Sequence, residues 1–212
     1  SRCELLVGGH SKGGNLAMVA SMYANIFVQR KIKFVYNLDG PGVLDEEFNS
    51  VNFKHLKKKY IHIIPDYSVV GMCLNNANEY VIKASVKSVY CHNIVYWEIG
   101  NDYDFVKAEL SDYSKELRCE FKKLLRKYSN EDKKNLIINL FDILDKANIT
   151  SILELKEQNK KIISLIYESK NMTQKTKKFL DDFIRILIKC YSNSTYNELK
   201  VKVKEVLNFR DW

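Results

Sequence analysis

All eight glycines and both prolines of this 212-residue chain lie within residues 1–100, and from Asn101 to Trp212 there is neither. Gly and Pro are the strongest local breakers of helix and strand, so the two halves must be built differently. We place the boundary near residues 100–105, with one domain over 1–104 and an all-α helical domain over 105–212. Helix starts are legible in the second half. Ser129-x-x-Asp132, Ser151-x-x-Glu154 and Thr195-x-x-Glu198 have the form of capping boxes, whose side chains satisfy the free N–H groups of a first turn. Leu136, Ile137, Leu140, Phe141 and Leu144 recur at helical spacing, as do Phe179, Phe183, Ile186, Leu187 and Cys190. We expect helices over about 103–128, 131–147, 151–169, 173–191 and 195–207, with these stripes as packing faces.

The first half alternates. Cys3-Glu4-Leu5-Leu6-Val7, Lys33–Leu38, Tyr60–Ile64 and Tyr80–Ala84 are short apolar runs suited to strands, and Val95–Ile99 is a fifth candidate. Residues 15–29 and 44–58 have helical spacing. Strands alternating with helices imply an α/β class, with a parallel sheet joined by right-handed crossovers.

Between the first strand and the first helix stands Gly9-His10-Ser11-Lys12-Gly13. This is G-x-S-x-G in the strand–turn–helix setting that a nucleophile elbow requires. Small residues beside the serine let the backbone approach closely. The backbone N–H of Lys12, at the start of the helix, is a candidate oxyanion donor. The rival reading is a glycine-rich turn that binds phosphate, and no G-x-G-x-x-G or Walker A pattern supports it.

A serine nucleophile needs a base, and the base needs an orienting acid. Of the histidines after Ser11, His62 sits in a strand among apolar residues and reads as packed. His55 lies in a Lys-rich helix and reads as solvated. His92 follows a strand in Tyr90-Cys91-His92-Asn93 and is the candidate base. His10 reads as a support of the elbow. Two acids compete. Asp66 follows the second strand after the elbow, where this architecture usually carries its acid, and we favour it. Asp39 follows the first and is the alternative; it could instead hydrogen-bond its own turn. Ser68 is a candidate polar support for the Asp66 loop.

Four segments in order carry a resemblance: Gly9–Ala17, Asn37–Gly42, Ile64–Met72, and His92 shortly before Trp97. Together they resemble the Mbeg1-like family, a lipase-like branch of the α/β-hydrolases found in many bacteria, over roughly residues 1–100. The resemblance implies a serine hydrolase with Ser11 as nucleophile and His92 as base, acting on an ester or lipid-like substrate. It leaves the acid open between Asp66 and Asp39. The fold it implies is partial, running from the elbow strand onward. The strand opens at residue 3 with no Met before it. We therefore expect a piece of a longer chain, with the earlier strands and a second oxyanion donor lying upstream.

Composition narrows the remaining classes. Residues 1–104 carry 11 Lys+Arg against 10 Asp+Glu, and residues 105–212 carry 23 against 16. The excess charge of the helical half suits either a solvated surface or an anionic partner, such as a membrane surface. No recognised nucleic-acid motif is present. The five dispersed cysteines form no C-x-x-C and read as free thiols in a reducing cytoplasm. No metal site and no cofactor motif is evident, and no apolar run is long enough for a transmembrane helix. Two functions from different classes stand: a serine esterase, or a non-catalytic interaction protein that keeps the fold and works through its basic helices.

Overall fold

The computed structural model describes residues 3–146, 148 and 172–190 of the chain. It divides into two compact units, Ser1–Lys122 and Lys123–Trp212. The first is α/β. Its elements run β1 (Leu5–His10), α1 (Lys12–Tyr23), α2 (Ile26–Lys31), β2 (Ile32–Leu38), α3 (Asp45–Phe48), α4 (Val51–Leu56), β3 (Tyr60–Pro65) and β4 (Glu79–Ile82). Helix α5 (Asp112–Arg126) begins in this unit and ends in the second. The four strands pair in parallel in the order β1-β2-β3-β4.

Alternation along the strands sends side chains to two faces. On one, Met18 and Met22 of α1 and Phe53 and Leu56 of α4 pack with Val35 and Tyr60 of the sheet. On the other, Ile63 and Ile82 pack with Ala84, Cys91 and Trp97 from the segments after β4. Both faces are thus covered over β2 to β4, as a parallel sheet requires, while Leu6 on β1 is exposed.

Three expected elements are interrupted, each by a polar residue or a turn that supplies backbone partners. The helical pattern over 15–29 is split, because Asn25 accepts the Val28 N–H through its side chain at 3.0 Å and starts α2 afresh. Ser50 does the same for α4, accepting the Phe53 N–H at 3.2 Å. The candidate strand at 95–99 is instead a 3-10 turn over Ile94–Tyr96, followed by single antiparallel bridges, Ala84 with Trp97 and Ile99 with Phe105. Helix α5 starts at Asp112 and not near 103. Upstream of it, the Val106 carbonyl accepts from Lys83 N and the Val81 carbonyl from Ala108 N, so this stretch runs along β4.

In the second unit, α6 (Asn130–Lys146) opens with a complete capping box. Ser129 Oγ accepts the Asp132 N–H at 3.1 Å, and Asp132 Oδ2 accepts the Ser129 N–H at 2.9 Å. Lys175 and Ser129 hold the Asp132 carboxyl down at about 2. Helix α7 (Gln174–Cys190) is capped by Thr173, whose Oγ1 accepts the Thr176 N–H at 3.1 Å. Leu124, Leu136, Met172, Phe179 and Leu180 form the core here, with the Tyr128 ring stacked on Phe179 at 4.0 Å between centroids. Ile137, assigned to the same stripe, is exposed. The helices expected over 151–169 and 195–207, with the caps at Ser151 and Thr195, lie outside the described residues.

Among the described residues, no helix is long and apolar enough to cross a membrane, and no cluster of three or more His, Cys, Asp or Glu could hold a metal ion. Cys3, Cys73, Cys91 and Cys119 are free thiols, and burial pushes the Cys73 thiol up to about 12.

His62 is packed into β3 with no exposed surface, as its apolar neighbours suggest. Its Nε2 donates to the Gly40 carbonyl at 3.1 Å. Burial holds its pKa down, from 6.5 to about 3. Between those values the unfolded chain binds a proton that the folded chain refuses, so stability falls as pH drops through this window. The slope is about 1.4 kcal/mol per pH unit. Urea denaturation of His62→Gln should therefore lose about 2 kcal/mol less than the wild type between pH 6.5 and 5. Equal losses in the two proteins would contradict a buried neutral imidazole.

Candidate active site

Strand register builds the site. His10 of β1 pairs with Leu38 of β2, and Leu38 with Ile63 of β3. The next residues continue that ladder: Ser11 N donates to the Leu38 carbonyl at 2.9 Å and Asp39 N to the Ile63 carbonyl at 2.8 Å. Ser11 and Asp39 thus leave adjacent strands at the same level. Asp66 leaves β3 two residues beyond that level, about 7 Å further along the strand.

Both residues have left-handed backbones, Ser11 at φ 56° and Asp39 at φ 47°. Such conformations cost about 1–3 kcal/mol and persist only where the surroundings fix them. Ser11 is held from both sides, since its carbonyl also accepts from Gly14 N at 3.0 Å and Asn15 N at 3.3 Å. A Cβ on Gly9 would collide with the carbonyl of Gly13. A Cβ on Gly14 would collide with Asn37 Oδ1 and stand 2.7 Å from the Gly9 carbonyl. Around Gly13, the last residue of the G-x-S-x-G pattern, there is open space.

The turn at Asp39 rests on a buried polar network. Asn37 Oδ1 accepts the Gly40 N–H at 2.8 Å, and Asn37 Nδ2 donates to the Tyr60 hydroxyl at 2.9 Å. That hydroxyl donates to Asn76 Oδ1 at 2.6 Å. Burial drives the Tyr60 phenol well above its ordinary value, so it remains a donor.

Three side chains meet above the strand ends. His92 Nδ1 lies 2.7 Å from Asp39 Oδ2, and His92 Nε2 lies 2.9 Å from Ser11 Oγ. An ionised carboxylate only accepts, so Nδ1 carries the proton and Nε2 is free to accept the serine hydroxyl hydrogen. Asp39 is wholly buried and His92 nearly so. The other carboxylate oxygen of Asp39, Oδ1, accepts from the Ser68 hydroxyl and from Gly71 N at 3.1 Å. Lys12 is the first residue of α1, so its N–H has no acceptor within the helix and sits beside Ser11.

Of the two candidate acids, the carboxylate at His92 is the alternative, Asp39, and the favoured Asp66 has other partners. Asp66 Oδ1 accepts from Tyr67 N at 3.1 Å and Ala84 N at 3.3 Å, and burial raises its pKa. Its carbonyl accepts from Ser111 N and the Ser114 hydroxyl, which ties the end of β3 to the start of α5. Ser68 supports an acid, but that acid is Asp39. His55 is exposed on α4. The Gly71 N–H and the contact of His10 with the His92 backbone had no counterpart in the sequence reading. Each joins residues more than thirty positions apart, and no local spacing announces them.

Fold and site define the class first: an α/β protein in which a serine and a buried carboxylate at the ends of adjacent parallel strands meet a histidine from a later turn in one hydrogen-bonded chain. The chain belongs to the Mbeg1-like family, whose family model matches residues 1–142. No curated protein and no solved structure matches it.

The two helix-side glycines should respond oppositely to substitution. Gly14→Ala should destabilise the protein by about 1–3 kcal/mol, the usual cost of overpacking. Gly13→Ala should be neutral or stabilising by up to about 1 kcal/mol, since the methyl group meets nothing and Ala favours helix. Melting temperatures of the two variants check this; equal effects would contradict the elbow geometry.

Proposed function

We propose that this chain is a serine hydrolase that cleaves an ester or acyl-lipid-like substrate through an acyl-enzyme. The observation that carries the reading is the continuous hydrogen-bonded chain from Ser11 Oγ through His92 to Asp39 Oδ2, at 2.9 and 2.7 Å. The left-handed serine between strand and helix supports it, as does membership of the Mbeg1-like family.

Ser11 Oγ attacks the substrate carbonyl carbon while His92 Nε2 takes the hydroxyl proton. The imidazolium so formed lies against the Asp39 carboxylate, which holds the ring in the required tautomer and stabilises its charge. Negative charge gathers on the former carbonyl oxygen, and the Lys12 N–H, free at the positive end of α1, is the donor we assign to it. Collapse of the tetrahedral intermediate expels the alcohol, which receives the proton from His92. Water then attacks the acyl-serine by the same route in reverse, His92 taking its proton, and the acid leaves. The substrate class rests on the family resemblance. A polar chain of this kind also fits amide or thioester cleavage, and the step common to all three is acyl transfer to Ser11.

A fluorophosphonate probe should label the folded protein, and Ser11→Ala should abolish labelling. Asp39→Asn should slow ester hydrolysis by about 10⁴, because the amide favours the wrong imidazole tautomer. Asp66→Asn should stay within about tenfold of the wild type, any loss coming from stability. A folded protein that takes no label would instead support the non-catalytic reading. Greater sensitivity at Asp66 than at Asp39 would overturn the choice of acid.

A further inference from the structure

We propose that His10 is a positioning residue for the base, holding His92 by its backbone and by its ring. The inference rests on the hydrolase reading above. His92 lies at the end of a 3-10 turn, Ser88–His92, outside the sheet. Its side chain must nevertheless point at Ser11, 81 positions earlier in the chain. Asp39 and Ser11 bond the two ring nitrogens, but a ring held only along its edge can still tilt and its backbone can still shift. Two further contacts restrain that backbone. Trp97 Nε1 donates to the Cys91 carbonyl at 2.8 Å, and His10 Nε2 lies 2.7 Å from the carbonyl of His92 itself. A carbonyl only accepts, so His10 is the donor and carries its proton on Nε2. His10 and His92 therefore hold opposite tautomers.

The same side chain makes a second contact. The His10 ring lies 4.5 Å from the His92 ring between centroids, tilted by 35°. One face of the base is thereby covered by a residue that belongs to β1 and directly precedes the nucleophile. Nucleophile and base are thus referred to the same strand, so a small movement of the His92 turn cannot separate them freely. With its Nε2 occupied by the His92 carbonyl, His10 is not itself the base. The chemistry needs this alignment most in the transition state, where a misplacement of about 1 Å can cost on the order of 10²-fold.

Two variants separate the roles of donor and ring. His10→Phe keeps an aromatic face but loses the N–H; His10→Gln keeps an N–H donor but loses the ring. Steady-state hydrolysis of a soluble p-nitrophenyl ester by the full chain is the assay, with melting temperature as the folding control. His10→Phe should lower kcat by about 10- to 100-fold with KM nearly unchanged. His10→Gln should recover most of that loss. Unchanged kcat in His10→Phe, equal losses in both variants, or a loss carried by KM would each overturn the assignment. If His10→Phe does not fold, the imidazole nitrogen spectrum of the wild type decides: neutral His10 must be the Nε2–H tautomer, and the Nδ1–H tautomer would overturn it. An active wild type with insensitive His10 variants sinks this inference alone. A folded wild type that neither takes the phosphonate nor turns over the ester sinks the hydrolase reading and this inference together.

Discussion

A carboxylate with no exposed surface must receive from the protein all the hydrogen bonds that water would have given it. Asp39 is such a group, and the first unit is organised around satisfying it. Its donors come from two separate segments: the imidazole of His92 after β4, and the β3–β4 connection, which supplies the Ser68 hydroxyl and the Gly71 N–H. Removing any one leaves a buried charge short of a partner, a loss of about 1–3 kcal/mol or more. The same bonds that make the burial tolerable fix where His92 stands, so the stability of this corner and the geometry of the site are one problem.

The sheet supplies the other half. Parallel strands in register end side by side, and the residue after each strand inherits that alignment. Both Ser11 and Asp39 adopt backbone conformations that most side chains avoid, at the ends of adjacent strands. The two turns also interlock. A Cβ on Gly40, which follows Asp39, would collide with the Ser11 carbonyl and with Asn37. The strained serine and the strained aspartate are therefore packed against each other, and neither can relax without displacing its neighbour.

Much of this was legible in the residues. The alternation of strand and helix, the elbow at Ser11 and the loop histidine His92 are local patterns, and local patterns survive in a sequence. That the carboxylate beside His92 is Asp39, the alternative, and not the favoured Asp66 has a non-local reason. Counting strands puts the acid after β3, whereas register puts β3 two residues too long for Asp66 to reach the imidazole. Ordinal position is written in the sequence; the level at which neighbouring strands end is set by pairing. Helices were over-extended for a related reason. Apolar spacing ran on through Asn25 and Ser50, but those side chains capped new helices and divided the old ones. Residues 106–108, free of Gly and Pro, run along the edge of β4, because an unpaired edge offers backbone partners that a helix start there would forgo.

The glycines of the elbow carry a lesson for how such chains are searched for. A five-residue pattern ending at Gly13 fixes attention on a position with open space around it, and it stops one residue short of Gly14, which sits against Asn37 and Gly9. Relatives with alanine, serine or another small residue at the position of Gly13 can keep this turn, yet a strict filter would discard them. A chain that satisfies the five-residue pattern but carries a larger residue at the position of Gly14 cannot close the turn as this one does. A descriptor written from packing would relax the fifth position, require the sixth, and add the asparagine near the end of the following strand.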